Sequence, residues 1–136
     1  MPTKVKRIIG WTLTVLVGLF LIGASGVPKF LDFPGKGDMM AKLQIPLNLL
    51  TTLGVIELSV AVLYLIPRTA FLGAILTTGY LGGAVWTHVR VGEPWFFPII
   101  VAVLMWLGLA LRHPVIFRLL LGQASVAQPV GDPAQR

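Results

Sequence analysis

The chain has 136 residues, of which 56% are apolar and 12% are charged, and its formal net charge is +6. Ordinary soluble domains carry about 25% charged residues, so this composition excludes a typical water-soluble globular protein. The absence of cysteine excludes disulfides, thiolate metal sites and thiol redox relays. The Lys and Arg residues lie at the ends of apolar segments rather than in one patch, which indicates contact with membrane lipids and not with nucleic acid.

Four apolar segments of membrane-spanning length account for most of the chain. They cover residues 8–27, 47–66, 69–89 and 95–111. A helix rises about 1.5 Å per residue, so each segment can cross a hydrocarbon core of about 30 Å, the last one with its flanking Trp and Arg at the interfaces. The sequence therefore predicts an all-α membrane protein.

The first segment has two interpretations. Lys4, Lys6 and Arg7 precede its apolar run, as basic residues do in a cleavable signal peptide. However, the run is about 20 residues long, more than a typical signal core. Small residues also recur along it at spacings of four or seven: Gly10, Thr14, Gly18 and Ser25. We therefore expect a permanent membrane helix.

Short connections predict that consecutive spans are antiparallel neighbours. The second connection is the turn Pro67-Arg68, and the third comprises residues 90–94. Only the first connection is long. The predicted fold is an up-down-up-down four-transmembrane-helix bundle, formed by residues 1–122 as one domain.

Within the first connection, residues 38–43 are predicted to form one or two helical turns capped by Asp38. Met39, Met40 and Leu43 would share one face of this helix. The helix either rests in the headgroup layer, which is the interpretation we prefer, or forms a lid over the outer mouth of the bundle.

Two further elements follow the fourth span. Pro114 suits the first turn of a new helix, so residues 114–122 are predicted to form an interfacial helix or an extension of that span. Residues 123–136 are rich in Ala, Gln, Pro and Val without periodicity, and predict a disordered tail.

The basic residues indicate an orientation. With four spans, seven of them lie on the side of both termini: Lys4, Lys6, Arg7, Arg68, Arg112, Arg118 and Arg136. Four lie on the other side: Lys29, Lys36, Lys42 and Arg90. Positive-inside counting therefore places both termini in the cytoplasm.

Glu57 is the one carboxylate inside a predicted span. It shares a stripe with residues three and four positions apart: Gly54, Ala61 and Tyr64. We therefore expect it to face the bundle interior. Counting along the helices places four candidate partners near its depth: Thr77 or Thr78, Tyr80 and the indole of Trp106. A charge there costs about 2.5–3.5 kcal/mol, so the carboxyl should be protonated or bound by a partner. It either clamps helices or serves as a ligand-binding or proton-linked group.

Glycines of the second and third spans are predicted to mediate helix packing. Gly79 and Gly83 have the G-x-x-x-G spacing that permits close backbone approach, and Gly54 lies on the stripe of Glu57. Packing within the bundle is a better explanation of this spacing than dimerisation.

His88, Arg90 and Glu93 crowd the outer end of the third span and form a predicted outer polar cluster. The cluster either binds an anion, a headgroup or a partner, or anchors the helix end, with Arg90 and Glu93 as a surface ion pair. A lone His does not indicate a metal site. The sequence also contains no phosphate loop, no nucleophile with its base and no carboxylate pair, so it identifies no catalytic residue.

Five short stretches form a recognisable set of motifs. They are GVPKF at 26–30, GVIEL at 54–58, LIPR at 65–68, LGA at 72–74 and GGAVWTHVRVG at 82–92. Together they resemble the DoxX-like family of small four-span membrane proteins, over about residues 7–120. Trp86 departs from the pattern, because relatives usually carry a small residue there.

The resemblance implies a multi-pass protein of the bacterial cytoplasmic (inner) membrane with an up-down four-helix arrangement. Most DoxX-like proteins have no assigned activity. Members of the broader family are associated with quinone-linked redox complexes, and more distant relatives with assisting other membrane proteins. The family's polar signature falls on Glu57, Thr87, His88 and Arg90.

Two functions are therefore expected. The preferred one is a noncatalytic subunit or assembly factor, which holds a membrane-protein partner or a second copy through the glycine face and the outer polar cluster. The alternative is a redox-associated binder of a quinone or lipid, with Glu57 and Tyr80 at the polar head of the ligand. The sequence identifies no cofactor beyond the quinone or lipid of this second hypothesis.

Overall fold

A computed structural model describes residues 1–123, which form six α-helices and no strand. The helices are α1 Thr3–Leu19, α2 Lys36–Lys42, α3 Leu50–Leu65, α4 Ala70–Val91, α5 Phe96–Arg112 and α6 Pro114–Leu120. The all-α prediction is confirmed for these residues. The predicted tail lies outside them, except for Gln123.

The first helix is longer than its predicted span. It continues from α1 through a π-helical segment, Phe20–Gly26, and a 3-10 turn, Val27–Phe30, so that 28 consecutive residues are helical. A π-helical segment has a wider turn than an α-helix, and such segments occur frequently at functional sites. Here the π-helical segment is followed directly by the 3-10 turn that contains Lys29, a residue of the site described below.

Three helical stretches in the described part of the chain are long and apolar enough to cross a membrane. They are Thr3–Phe30, Leu47–Leu65 and Ala70–Val91. The fourth is α5, which has 17 residues and reaches the required length only together with α6. Since the two are bent by 118°, the structure contains three or four candidate membrane helices.

Tyr64 lies at the centre of the helix packing. It is fully buried on α3, and its hydroxyl donates to the Met105 carbonyl of α5 at 3.0 Å. The same hydroxyl lies 3.3 Å from Thr14 Oγ1 of α1. One buried phenol therefore joins three helices, and its hydrogen bonds satisfy the polar atom that burial would otherwise leave unpaired.

The closest helix contacts are made at glycines. A Cβ at Gly10 of α1 would lie 2.8 Å from the Arg112 side chain and 2.9 Å from the Gly108 carbonyl oxygen of α5. A Cβ at Gly73 of α4 would collide with the backbone of Tyr64 on α3. Both pairs of helices can therefore approach only because these positions lack a side chain.

Gly79 and Gly83, for which a packing role is predicted, contact no neighbouring helix in the described part of the chain. A Cβ at either position would meet no atom within 4 Å, because both glycines face a cavity rather than a neighbouring helix. Gly54 differs from them, since a Cβ there would lie 2.6 Å from the Phe30 ring. The G-x-x-x-G spacing correctly places the two glycines on one face of α4, but that face lines the cavity and packs against no other helix.

The helix of the first connection also starts earlier than predicted. Gly35 adopts the left-handed conformation, with φ of 83°, and begins α2 at Lys36. Asp38 is therefore not the cap, and lies instead in the first turn. Glycine tolerates the positive φ that starts the helix here, whereas the carboxylate of Asp38 still interacts favourably with the helix dipole.

Candidate functional site

Glu57 accepts two hydrogen bonds on one carboxylate oxygen. The residue is 1% exposed, and its Oε2 lies 2.5 Å from Lys29 Nζ and 3.1 Å from the Tyr80 hydroxyl. The prediction that Glu57 faces the interior is confirmed. A buried carboxylate is costly without a partner, and the Lys29 ammonium provides that partner.

Lys29 directs all three of its N–H bonds into the protein. Besides Glu57, its Nζ donates to the carbonyl oxygen of Ser25 at 3.0 Å and to the hydroxyl oxygen of Ser25 at 3.1 Å. Its side chain is 18% exposed. The ammonium is therefore held from three directions, and the 3-10 turn that carries it is fixed against α3.

Lys29 was not predicted as a site residue, because the apolar run of the first span ends at residue 27 and Lys29 follows in the predicted loop. In the structure the helix continues to Phe30, so that Lys29 lies one turn beyond Ser25 and turns inward. The GVPKF motif contained this lysine directly after an apolar run. A lysine directly after an apolar run was the signal that the sequence offered. Helical periodicity relates residues within one helix, so it could not indicate a contact between Lys29 and Glu57.

Of the partners predicted for Glu57, only Tyr80 contacts it. The Trp106 indole instead donates to Thr78 Oγ1 at 2.9 Å, and thus connects α5 to α4. The Thr77 hydroxyl is fully buried without a hydrogen-bond partner among the described residues. Thr78 uses its own hydroxyl proton on the Ala74 carbonyl at 2.8 Å, one turn back on α4, so neither threonine donates to the carboxylate.

An apolar cavity of about 520 Å³ adjoins the ion pair. All helices from α1 to α5, or the segments that continue them, contribute to its wall. Its apolar lining includes Phe20, Leu21, Met39, Met40, Leu50, Leu53, Phe97 and Val101. The volume lies within the range of about 300–1,000 Å³ that is usual for small-molecule sites.

The ion pair lies at the inner end of this cavity. Along α3 the lining begins at Leu50 and ends at Glu57, and along α4 it extends from Gly79 to His88. The outer end is covered by α2, whose Met39 and Met40 line the cavity. The structure therefore favours the lid over a helix that merely rests in the headgroup layer.

The outer polar cluster is not a single cluster. Arg90 Nη2 donates to the Leu43 carbonyl at 3.1 Å, and Glu93 pairs with Lys42 at 3.1 Å. The expected pair between Arg90 and Glu93 is not formed, because both side chains reach instead to the end of α2. These exposed contacts hold the end of α2 against α4 and the connection that follows it. An exposed ion pair contributes only about 0–1 kcal/mol to the free energy of unfolding.

His88 also has its own partner. Its Nδ1 lies 2.7 Å from the Ala84 carbonyl oxygen, one turn back on α4. Since a carbonyl oxygen only accepts, Nδ1 carries the proton of this hydrogen bond. Within residues 1–123, no group of three His, Asp or Glu side chains could hold a metal ion.

Comparison with known protein families gives a match. The sequence model of the DoxX-like family matches residues 12–110, which include Lys29, Glu57 and Tyr80. No curated protein and no solved structure matches the chain.

The ion pair predicts strong energetic coupling between Lys29 and Glu57. Lys29→Met leaves a buried carboxylate without its cation and should cost about 3–5 kcal/mol of unfolding free energy. Adding Glu57→Gln should recover part of this loss, which gives a coupling energy of about 0.5–3 kcal/mol in a double-mutant cycle. Reversible unfolding in detergent gives the free energy of unfolding of the wild type, the two single variants and the double variant.

The exposed pair of Lys42 and Glu93 provides the matched control. The cycle of Lys42→Met and Glu93→Gln should give a coupling energy below about 1 kcal/mol. Additivity of Lys29→Met and Glu57→Gln within about 0.5 kcal/mol would show that the two groups do not form an ion pair in the folded protein.

Proposed function

The chain belongs to the DoxX-like family, and we propose that this member binds a lipophilic molecule, of the quinone or lipid kind, in the cavity beside Glu57. Family membership and the long apolar helices identify it as a membrane protein. The observation that carries the proposal is an apolar cavity with a buried ion pair at its inner end. Apolar walls suit a hydrocarbon or isoprenoid tail, and the carboxylate suits a polar head.

The size of the cavity supports a ligand rather than a packing defect. Protein interiors are close-packed and contain few voids larger than a water molecule. A cavity with mostly apolar walls is also a poor site for water, which needs several polar partners. A lipophilic ligand would fill the space and restore the van der Waals contacts that the lining residues lack.

The subunit or assembly-factor hypothesis ranks second. It relied on a glycine face and on an outer polar cluster to hold a partner. In the described part of the chain, Gly79 and Gly83 line the cavity, and Arg90 and Glu93 hold the end of α2. Both features therefore have a use within the chain, and they support ligand binding more directly than partner binding.

We propose further that the helices form an up-down four-span bundle in the bacterial inner membrane, with both termini in the cytoplasm. The start of α1 lies against the end of α5 at Gly10 and Arg112, whereas Phe20 lies against Phe97 near the start of α5. These contacts support opposite directions for the two helices. The distribution of basic residues, seven on the side of the termini and four on the other, supports the orientation.

Reporter fusions test this orientation. Fusions placed after Arg68 and after Gly122 should both report the cytoplasm, because each follows an even number of spans. A periplasmic signal from either fusion would overturn the proposed topology and would place the lid on the cytoplasmic side.

Two neighbouring glycines of α4 provide a matched test of ligand binding. Gly83 lines the cavity, whereas Gly82 lies outside it, and a Cβ at either position would meet no atom within 4 Å. Gly83→Leu should therefore fill part of the cavity without a clash against the resting structure. Gly82→Leu makes the same chemical change outside this cavity, in a separate, more open apolar groove that α5 and α6 also line. Both changes improve the helix propensity of α4.

Mass spectrometry of quinones and lipids that copurify in mild detergent measures the effect. Gly83→Leu should reduce the specifically retained ligand by about tenfold, as expected for a loss of about 1.4 kcal/mol in binding. Gly82→Leu should retain the wild-type amount. Equal retention by the wild type and both variants, at equal thermal stability, would exclude the cavity as the binding site.

A further inference from the structure

The cavity has few free hydrogen-bond donors. Lys29 uses its three N–H bonds on Ser25 and Glu57. The Tyr80 hydroxyl donates to Glu57, and the Thr87 hydroxyl donates to the Gly83 carbonyl at 2.9 Å. Although these groups line the cavity, their protons are already engaged within the protein.

Free acceptors are more numerous. Oε1 of Glu57 accepts no hydrogen bond from any described residue, although the side chain lines the cavity. The Tyr80 oxygen keeps lone pairs that can accept. Thr87 Oγ1, which donates to the Gly83 carbonyl, likewise keeps lone pairs that can accept. Among the described side chains that line the cavity, the Ser25 hydroxyl retains an uncommitted proton beside these acceptors. Lys36 retains one N–H as well, because its Nζ donates only to the carbonyl oxygens of Lys29 and Leu31.

This imbalance restricts the head of the ligand. A carbonyl, ether or carboxylate head only accepts hydrogen bonds, so beside Glu57 it would face the lone pairs of Oε1. A head with an O–H or N–H bond can donate to Oε1, and hydrogen bonds to charged groups are the stronger ones. The site is therefore complementary to a donor.

Charge then separates a hydroxyl head from an ammonium head. Glu57 is already neutralised by Lys29, and a second cation, Lys36, also lines the cavity. Its Nζ lies 2.6 Å from the Leu31 carbonyl and so remains close to the mouth. A ligand cation would therefore find the carboxylate already paired and would lie in the same cavity as Lys36, whose Nζ is 3.7 Å from the exposed Asp32 carboxylate. A neutral hydroxyl needs no further counter-charge.

We infer that the cavity binds a neutral lipid alcohol, whose hydroxyl donates to Oε1 of Glu57 while its apolar tail fills the cavity. The inference rests on the proposed function and adds the chemical class of the ligand head. It predicts discrimination between two molecules that have the same tail and differ only in a head proton.

Dodecan-1-ol and 1-fluorododecane form such a pair. Fluorine is similar in size to a hydroxyl group but donates no hydrogen bond. A scintillation proximity assay measures how strongly each unlabelled compound displaces tritiated dodecan-1-ol from the purified full chain. The alcohol should compete about tenfold more strongly, because it alone makes the charge-assisted hydrogen bond.

The variant Lys29→Met/Glu57→Leu locates the source of this preference. Replacing a buried ion pair by apolar residues is often neutral for stability, so the double variant is expected to fold. The tenfold preference should fall to about one in this variant, because the acceptor is gone. A preference that persists at tenfold in a folded double variant would overturn the assignment to Glu57.

The wild-type measurement also separates the two proposals. Equal competition by alcohol and fluoride, or stronger competition by the fluoride, overturns the hydroxyl inference and leaves lipophile binding in place. Failure of tritiated dodecan-1-ol to bind in a saturable manner overturns the hydroxyl inference. The copurification experiment then decides on lipophile binding itself. Loss of the copurified ligand in Gly83→Leu but not in Gly82→Leu would support it, and equal retention would exclude it.

Discussion

The ion pair between Lys29 and Glu57 is the interaction on which the rest of the structure depends. It joins the end of the first helix to the middle of α3, and requires that helix to continue through its π-helical segment as far as Phe30. A buried charge pair tolerates the loss of one partner poorly, so the two elements are constrained together. The cavity beside the pair acquires its polar inner end from the same contact.

Contacts at the two ends of the cavity differ in strength. The inner end consists of a buried carboxylate held by an ammonium and a phenol, whereas the outer end is held by Arg90 and by the exposed pair of Lys42 and Glu93. Exposed pairs contribute little and are screened by salt. The polar contacts at the lid end are therefore the weaker ones, and the buried side chain of Met40 adds an apolar contact there.

The sequence was sufficient for the all-α class, the family and the inward direction of Glu57, because composition, motifs and helical periodicity report these features directly. It could not reveal Lys29 as the partner, because the π-helical turn changes the direction of every side chain that follows it. Periodicity also placed Gly79 and Gly83 on one face of α4, but what lies opposite a face depends on tertiary packing. The same limit explains why Trp106 contacts Thr78 and not the carboxylate.

Infrared difference spectroscopy tests the ion pair most directly. The chain contains five acidic residues, so the spectrum of the wild type minus that of Glu57→Gln isolates the contribution of Glu57. At neutral pH this difference should contain the bands of an ionised carboxylate, and the bands should change in Lys29→Met, where the ammonium is lost. A carbonyl band from a protonated Glu57 carboxyl in the wild type, unaffected by Lys29→Met, would contradict the account.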